Sequence, residues 1–146
     1  MAGRALGISL EDARRIIRAG QEKANEIGVR MNLAVVDAGG NLVAFERQDG
    51  AWLGSIDIAI KKAFTARAFD IETKKLANLS QSGEQFFGIH VSNGGKVMIF
   101  AGGVPLKQGD EVVGAVGASG GMGKEDQAVA EAAAKAFTQA VGQKAA

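Results

Sequence analysis

The chain of 146 residues has no cysteine and no tyrosine, and only one tryptophan, one histidine and one proline. Lack of cysteine excludes a disulfide scaffold, a thiolate metal site and a cysteine nucleophile. Aromatic side chains make up 5% of the sequence, too few for a platform on which bases stack. No sign of charge dominates: 17 Lys+Arg against 16 Asp+Glu leave +1, so no basic field points to nucleic acid. No apolar run reaches membrane-spanning length. The segment Met1 to Ser9 carries Arg4 but lacks an apolar stretch long enough for export. One compact domain over residues 1–146 is expected, cytoplasmic, with neither nucleic acid nor membrane as partner.

Glycine is abundant instead: 21 residues, clustered at 39–40, 94–95, 102–103, 120–121 and 123. With a single proline this reads as short hairpin turns rather than disorder. The densest cluster is Gly114-Ala-Val-Gly-Ala-Ser-Gly-Gly-Met-Gly123, followed by Lys124, Glu125 and Asp126. Small strand-forming residues run there into glycines, and an alanine-rich helical pattern follows. Close backbone approach and free helix-start amides suit a small polar or anionic group. The loop is neither of the familiar phosphate loops. The first glycine of a Walker loop would fall on Ala118, Glu125 stands where Ser/Thr would hold magnesium, and the dinucleotide spacing is absent.

Ser9 with Asp12 forms a capping-box-like start, and Leu10, Ala13, Ile17, Ala24 and Ile27 recur at helical spacing up to Gly28; a helix over about 9–27 follows. Alternation from Val29 to Val35, the turn Asp37–Asn41 and the run Leu42–Arg47 predict a hairpin. Ser55–Ala68 is helical, with Ile56, Ala59, Ile60 and Ala63 on its apolar face. Thr73–Leu79 and Glu84–Phe87 read as shorter helical pieces, whereas Ile89–Ser92 is ambiguous. Lys96–Ala101 and Glu111–Ala118 read as strands, with Pro105 in the connection between them. A last helix covers about Lys124–Val141. Short loops between neighbouring strands give an α+β fold with an antiparallel sheet and helices packed on it.

Several polar residues stand out. Arg47, Asp49, Lys61 and Lys62 gather near one predicted sheet end, where cations clamp a carboxylate; a surface ion-pair cluster accounts for them equally well. Thr65 on the following turn has the usual back-bonding role of a helical threonine. His90 has no acidic partner nearby in sequence and stays outside the candidate site.

Five segments in order, Val35–Ala44 with its Asp37 turn, Arg47–Ala51, Lys62–Ala66, Gly102–Pro105 and Gly114–Gly121 with Asp126, resemble the GlcG/HbpS-like family. It is also called the haem-degrading domain family and includes the C-terminal domain of PduO-type proteins. The resemblance extends from about Ser9 to Val141. It implies a five-stranded antiparallel sheet flanked by helices, profilin-like, and homo-oligomers of two, four or eight copies. It also implies haem as the cofactor to consider, since some members bind it. Thr65 matches a threonine implicated in haem contact in the secreted branch.

Two functional expectations follow. The first is a small-ligand-binding oligomer for haem or a carboxylate-bearing metabolite, with Arg47, Lys62, Thr65, Ser119, Gly120 and Gly121 as binding residues and Phe45 and Trp52 as apolar lining. The alternative is a cofactor-independent isomerase, hydratase or lyase for a small oxo- or hydroxy-acid. There the amides of Ser119–Gly121 would stabilise an oxyanion, with Asp37, Asp49 or Asp126 as base and no metal.

Overall fold

A computed structural model describes residues 7–145; the segment carrying Arg4 lies outside it. The elements are α1 (Leu10–Ile27), β1 (Asn32–Asp37), β2 (Leu42–Arg47), α2 (Ser55–Phe69), α3 (Thr73–Leu79), a 3-10 turn (Ile89–Val91), α4 (Ser92–Gly95), β3 (Gly103–Gln108), β4 (Glu111–Ser119) and α5 (Gly123–Ala145). The strands pair antiparallel in the order β2-β1-β4-β3. The fold is α+β with a helix-flanked sheet, but the sheet has four strands among the described residues where five were expected.

Local chemistry sets the element ends. The Ser9 hydroxyl accepts from the Asp12 amide, and the Asp12 carboxylate accepts from the Ser9 amide, both at 3.0 Å, so two free helix-start donors are satisfied reciprocally. Gly28, at φ 77°, closes α1 in the left-handed conformation and donates to the Ala24 and Asn25 carbonyls. Ala13, Ile16, Ile17, Gly20 and Ala24 face inward, whereas Leu10 remains 48% exposed. The turn between β1 and β2 is held by Asp37, whose Oδ1 accepts from the amides of Gly39 and Asn41.

Three sequence expectations are corrected. Lys96–Ala101 is not a strand: the Lys96 amide closes a turn on the Asn93 carbonyl, and the Met98 amide donates to the Thr65 hydroxyl at 2.8 Å. Those amides pair with a turn and a helix side chain, so this apolar run joins no ladder. The strand lies further on and contains Pro105. It is an edge strand, where a residue without an N–H can face away from its neighbour. Glu84–Phe87 forms turns, with the Phe86 amide reaching back to Leu79, rather than a helix.

Two layers of helix cover the sheet. Leu33, Val35, Val116 and Ala118 point to the face packed by Ile16 and Ile17 of α1 and by Val129, Ala133 and Phe137 of α5. On the opposite face Ala34, Val36 and Ala115 meet Ala59, Ala63 and Ala66 of α2, with Phe45 packed at the margin. Small residues bring α2 unusually near the sheet. A Cβ on Gly117 would overlap the Ala59 carbonyl oxygen and lie 2.6 Å from the Ala63 nitrogen.

Candidate functional site

Strand pairing sets Arg47 opposite Asn32 and Asn32 opposite Ser119, so one end of the sheet gathers polar residues from β2, β1 and β4. Asn32 is fully buried. Its Nδ2 donates to the carbonyls of Trp52 (3.1 Å) and Ser119 (3.4 Å), while its Oδ1 has no partner among the described residues. An unpaired buried amide oxygen is costly and calls for a structural reason.

Next to this end lies a cavity of about 260 Å³. Val29 and Arg30 enter it from the lead-in to β1, Gly50, Ala51 and Trp52 from the turn after β2, Gly120, Gly121 and Met122 from the bend after β4, and Glu125 from α5. Trp52 and Met122 are 58% and 68% exposed, which makes the mouth apolar. No carboxylate lies within 4 Å of the Arg30 guanidinium among the described residues. Glu125 is engaged at the wall, its Oε1 accepting from the Met122 amide at 2.8 Å. A cation beside an apolar, tryptophan-bearing wall suits a small molecule with one carboxylate and an apolar body. A second cavity, about 400 Å³, lies between α3 and α5, where Lys74, Lys124, Gln127 and Glu131 face it.

Behind the first cavity sits a buried ion pair. Lys62 of α2 donates from Nζ to Asp126 Oδ2 at 2.7 Å and to the Ala118 carbonyl at 2.9 Å. Both side chains are almost wholly buried, at 1% and 6% exposure. The other carboxylate oxygen of Asp126 accepts from the amides of Gly120 (3.2 Å) and Gly121 (2.8 Å). Burial pushes the Lys62 ammonium below its ordinary pKa, against the pull of the Asp126 charge and hydrogen bond. Burial likewise pushes the Asp126 carboxyl up, against Lys62 and the two glycine amides. Gly102, at φ 119°, makes room for the pair: a Cβ there would lie 2.9 Å from Lys62 Nζ and 2.9 Å from Asp126 Cβ.

The residues singled out from the sequence thus fall into three groups. Lys62, Asp126, Gly120 and Gly121 form one hydrogen-bonded unit whose amides point inward to Asp126, with Ser119 buried at its edge. Arg47 and Asp49 are exposed at the same sheet end, outside the cavity wall. Asp37 and Thr65 serve the backbone elsewhere. Thr65 is fully buried, with its hydroxyl donating to the Lys61 carbonyl at 2.7 Å and accepting from Met98. Lys61 pairs with Asp57 at 3.0 Å. His90 is exposed and lines neither cavity. Arg30 was missed: in the alternating pattern before β1 it reads as one more solvent-facing position.

Residues 8–135 match the family described as haem degrading protein HbpS-like. Over 132 residues the chain is 36% identical to an uncharacterized 15.0 kDa protein of Citrobacter freundii, from the dhaT-dhaS intergenic region, covering 90% of this chain and 93% of that one. The crystal structure of Klebsiella pneumoniae protein ORFY superposes with a TM-score of 0.88 at 34% identity, covering 94% of each chain. A crystal structure of a PduOC:heme complex gives 0.85 at 33%, covering 90% of this chain and 95% of that one. The chain belongs to the HbpS-like family.

Proposed function

We propose that the protein binds a small carboxylate-bearing molecule in the cavity beside Asn32. The observation that carries this reading is Arg30, which lines a cavity whose mouth is Trp52 and Met122 and whose guanidinium has no carboxylate partner among the described residues. Arg30 takes the carboxylate through paired N–H donors, the indole covers the apolar part, and exposed Arg47 adds a second cation at the same sheet end. At about 260 Å³ the cavity lies just below the roughly 300–1,000 Å³ of pockets that enclose drug-sized ligands, so the ligand has few carbons.

Haem is a second reading, favoured by the heme complex of the PduOC relative and by one feature of the wall. Haem iron takes histidine, methionine, cysteine or tyrosine; this chain has no cysteine or tyrosine, and Met122 lies on the cavity. A tetrapyrrole is too large to be enclosed here and would lie across the mouth, with Met122 holding iron and Arg30 a propionate. Bound in that way, haem would supply a planar, redox-active surface. Self-association belongs to the same proposal, since Trp52, Leu53, Phe86, Phe87, Val91 and Phe100 are exposed large apolar groups; light scattering after size exclusion measures it.

Trp52 is the only tryptophan, so its fluorescence reports on the cavity. Titration with acetate, propionate, butyrate and haemin tests both readings. A saturable change with a small carboxylate, lost in Arg30→Ala, supports the first. A saturable Soret shift with haemin, lost in Met122→Ala, supports the second. Silence with all four probes overturns both.

A further inference from the structure

We propose that Asp126, held by Lys62, is the fixed internal anion of the glycine bend and the positioning residue of the ligand cavity. It occupies the very amides to which an external anion would bind. The proposal rests on the reading of the cavity above and names what shapes it.

The bend from Gly120 to Met122 leaves the sheet with amides that have no main-chain partner among the described residues. The amides of Gly120 and Gly121 point at one carboxylate oxygen, Asp126 Oδ1. Two adjacent N–H groups converging before a helix start form a concave anion receptor. Such receptors take anions from solution; here the chain itself provides one, Asp126, six residues after Gly120 and five after Gly121. The opposite carboxylate oxygen is tied to Lys62 Nζ, whose second acceptor is the Ala118 carbonyl, just before the bend. The bend is therefore gripped on both sides: its entering carbonyl by the ammonium, its amides by the carboxylate.

What the bend touches on its far side is the cavity. Gly120 and Gly121 line it, and Gly120 packs so tightly on the Arg30 backbone that a Cβ would overlap the Arg30 carbonyl oxygen. The chain of contacts runs from Lys62 through Asp126 and Gly120 to the main chain of the cation that receives the ligand. Shifting the bend shifts Arg30. It also follows that the ligand's carboxylate meets the guanidinium and not the amides, because the amides are already filled.

The test is refilling. Asp126→Ala leaves two amides and an ammonium around a hole the size of one carboxylate, directly behind the Gly120 and Gly121 wall of the cavity. In that variant the Gly120 and Gly121 amide resonances and Trp52 emission should move away from their wild-type values. Formate should return both, in a saturable manner and also in an Arg30→Ala background, while the same concentration of potassium chloride does not; wild-type protein should keep its Gly120 and Gly121 amide shifts in formate, whatever Trp52 reports from the Arg30 site. Should the alanine variant fail to fold, Asp126→Asn replaces it, keeping an oxygen for the amides but no charge for Lys62. The expected result is then a displaced Ala118–Gly121 segment by amide shifts, and at least an about tenfold weaker response of Trp52 to the small carboxylate that binds wild type. The proposal is overturned if the amides and Trp52 do not move in the folded variant, or if they move and formate fails to return them. A wild type silent to every carboxylate probe sinks the binding reading instead, and formate refilling of Asp126→Ala still decides the role of Asp126.

Discussion

Lys62 and Asp126 lie 2.7 Å apart although their helices cover opposite faces of the sheet. The ammonium passes the end of β3, where Gly102 leaves space, and fastens the α2 layer to the first turn of α5. Two charges removed from water attract strongly but lose hydration, so the pair is far more sensitive to losing one member than to losing both.

Lys62→Met and Asp126→Asn should each destabilise by about 3–5 kcal/mol, since each leaves a buried charge alone. Combining Lys62→Met with Asp126→Asn should fall well short of the sum. The raised carboxyl pKa makes Asp126's contribution greatest below the unfolded value and smaller as pH rises through the folded one. The lowered ammonium pKa makes the Lys62 contribution greatest above its unfolded value and smaller as pH falls through the folded one. Urea unfolding across pH should show both slopes in wild type and neither in the double variant.

Thr65→Val removes the hydroxyl at nearly constant volume and strands the Met98 amide, for a loss of about 1–3 kcal/mol. Thr65→Ser should recover most of it. Trp52 responses to carboxylates should be unchanged in both variants, because Thr65 does not line the cavity. A haemin Soret change that weakens in step with a still-folded Thr65→Val would show instead that Thr65 touches the ligand.

Gly117→Ala should destabilise by at least about 1–3 kcal/mol, the range for overpacking, as the new methyl meets main-chain atoms of α2 that cannot rotate away. Thermal unfolding measures it. An unchanged midpoint would mean that α2 sits further from the sheet.

Ser9→Ala should cost about 1 kcal/mol at neutral pH by removing the cap of α1. Burial alone would raise the Asp12 carboxyl, but the Ser9 amide and hydroxyl together with Arg15 hold it below its ordinary value near 3.8. A depressed folded pKa adds stability above the unfolded value and loses it as pH falls through the folded one. The gap between wild type and Ser9→Ala should therefore narrow below about pH 4 in acid unfolding.

Local signals made much of the fold legible. Ser9, Asp12 and Gly28 mark both ends of α1, Asp37–Asn41 marks the hairpin turn, and the glycine bend marks where α5 begins. The misplaced strand has a physical reason. Val97–Phe100 has strand-like composition, but the Met98 amide is taken by Thr65, 33 residues away, which no local pattern shows. The central ion pair is equally nonlocal, 64 residues apart, so Lys62 reads as a surface cation and Asp126 as a free base until tertiary packing joins them. Arg30 escaped for the opposite reason: one exposed arginine in an alternating run looks like solvent-facing strand, and only the convergence of three separate turns makes it part of a cavity.

The proline in β3 bears on how copies of this fold can join. Gly103 and Pro105 pair with Gly117 and Ala115, two residues apart along the strand, so their main-chain nitrogens face the same way. Gly103 sends its amide outward to the Thr73 hydroxyl at 2.8 Å, and Pro105 has none to send. Two successive outward positions on that border thus offer a newcomer no hydrogen. Growth of a continuous sheet from molecule to molecule is blocked along β3, which leaves the β2 border for strand-to-strand joining and makes runaway fibre formation from the other side unfavourable.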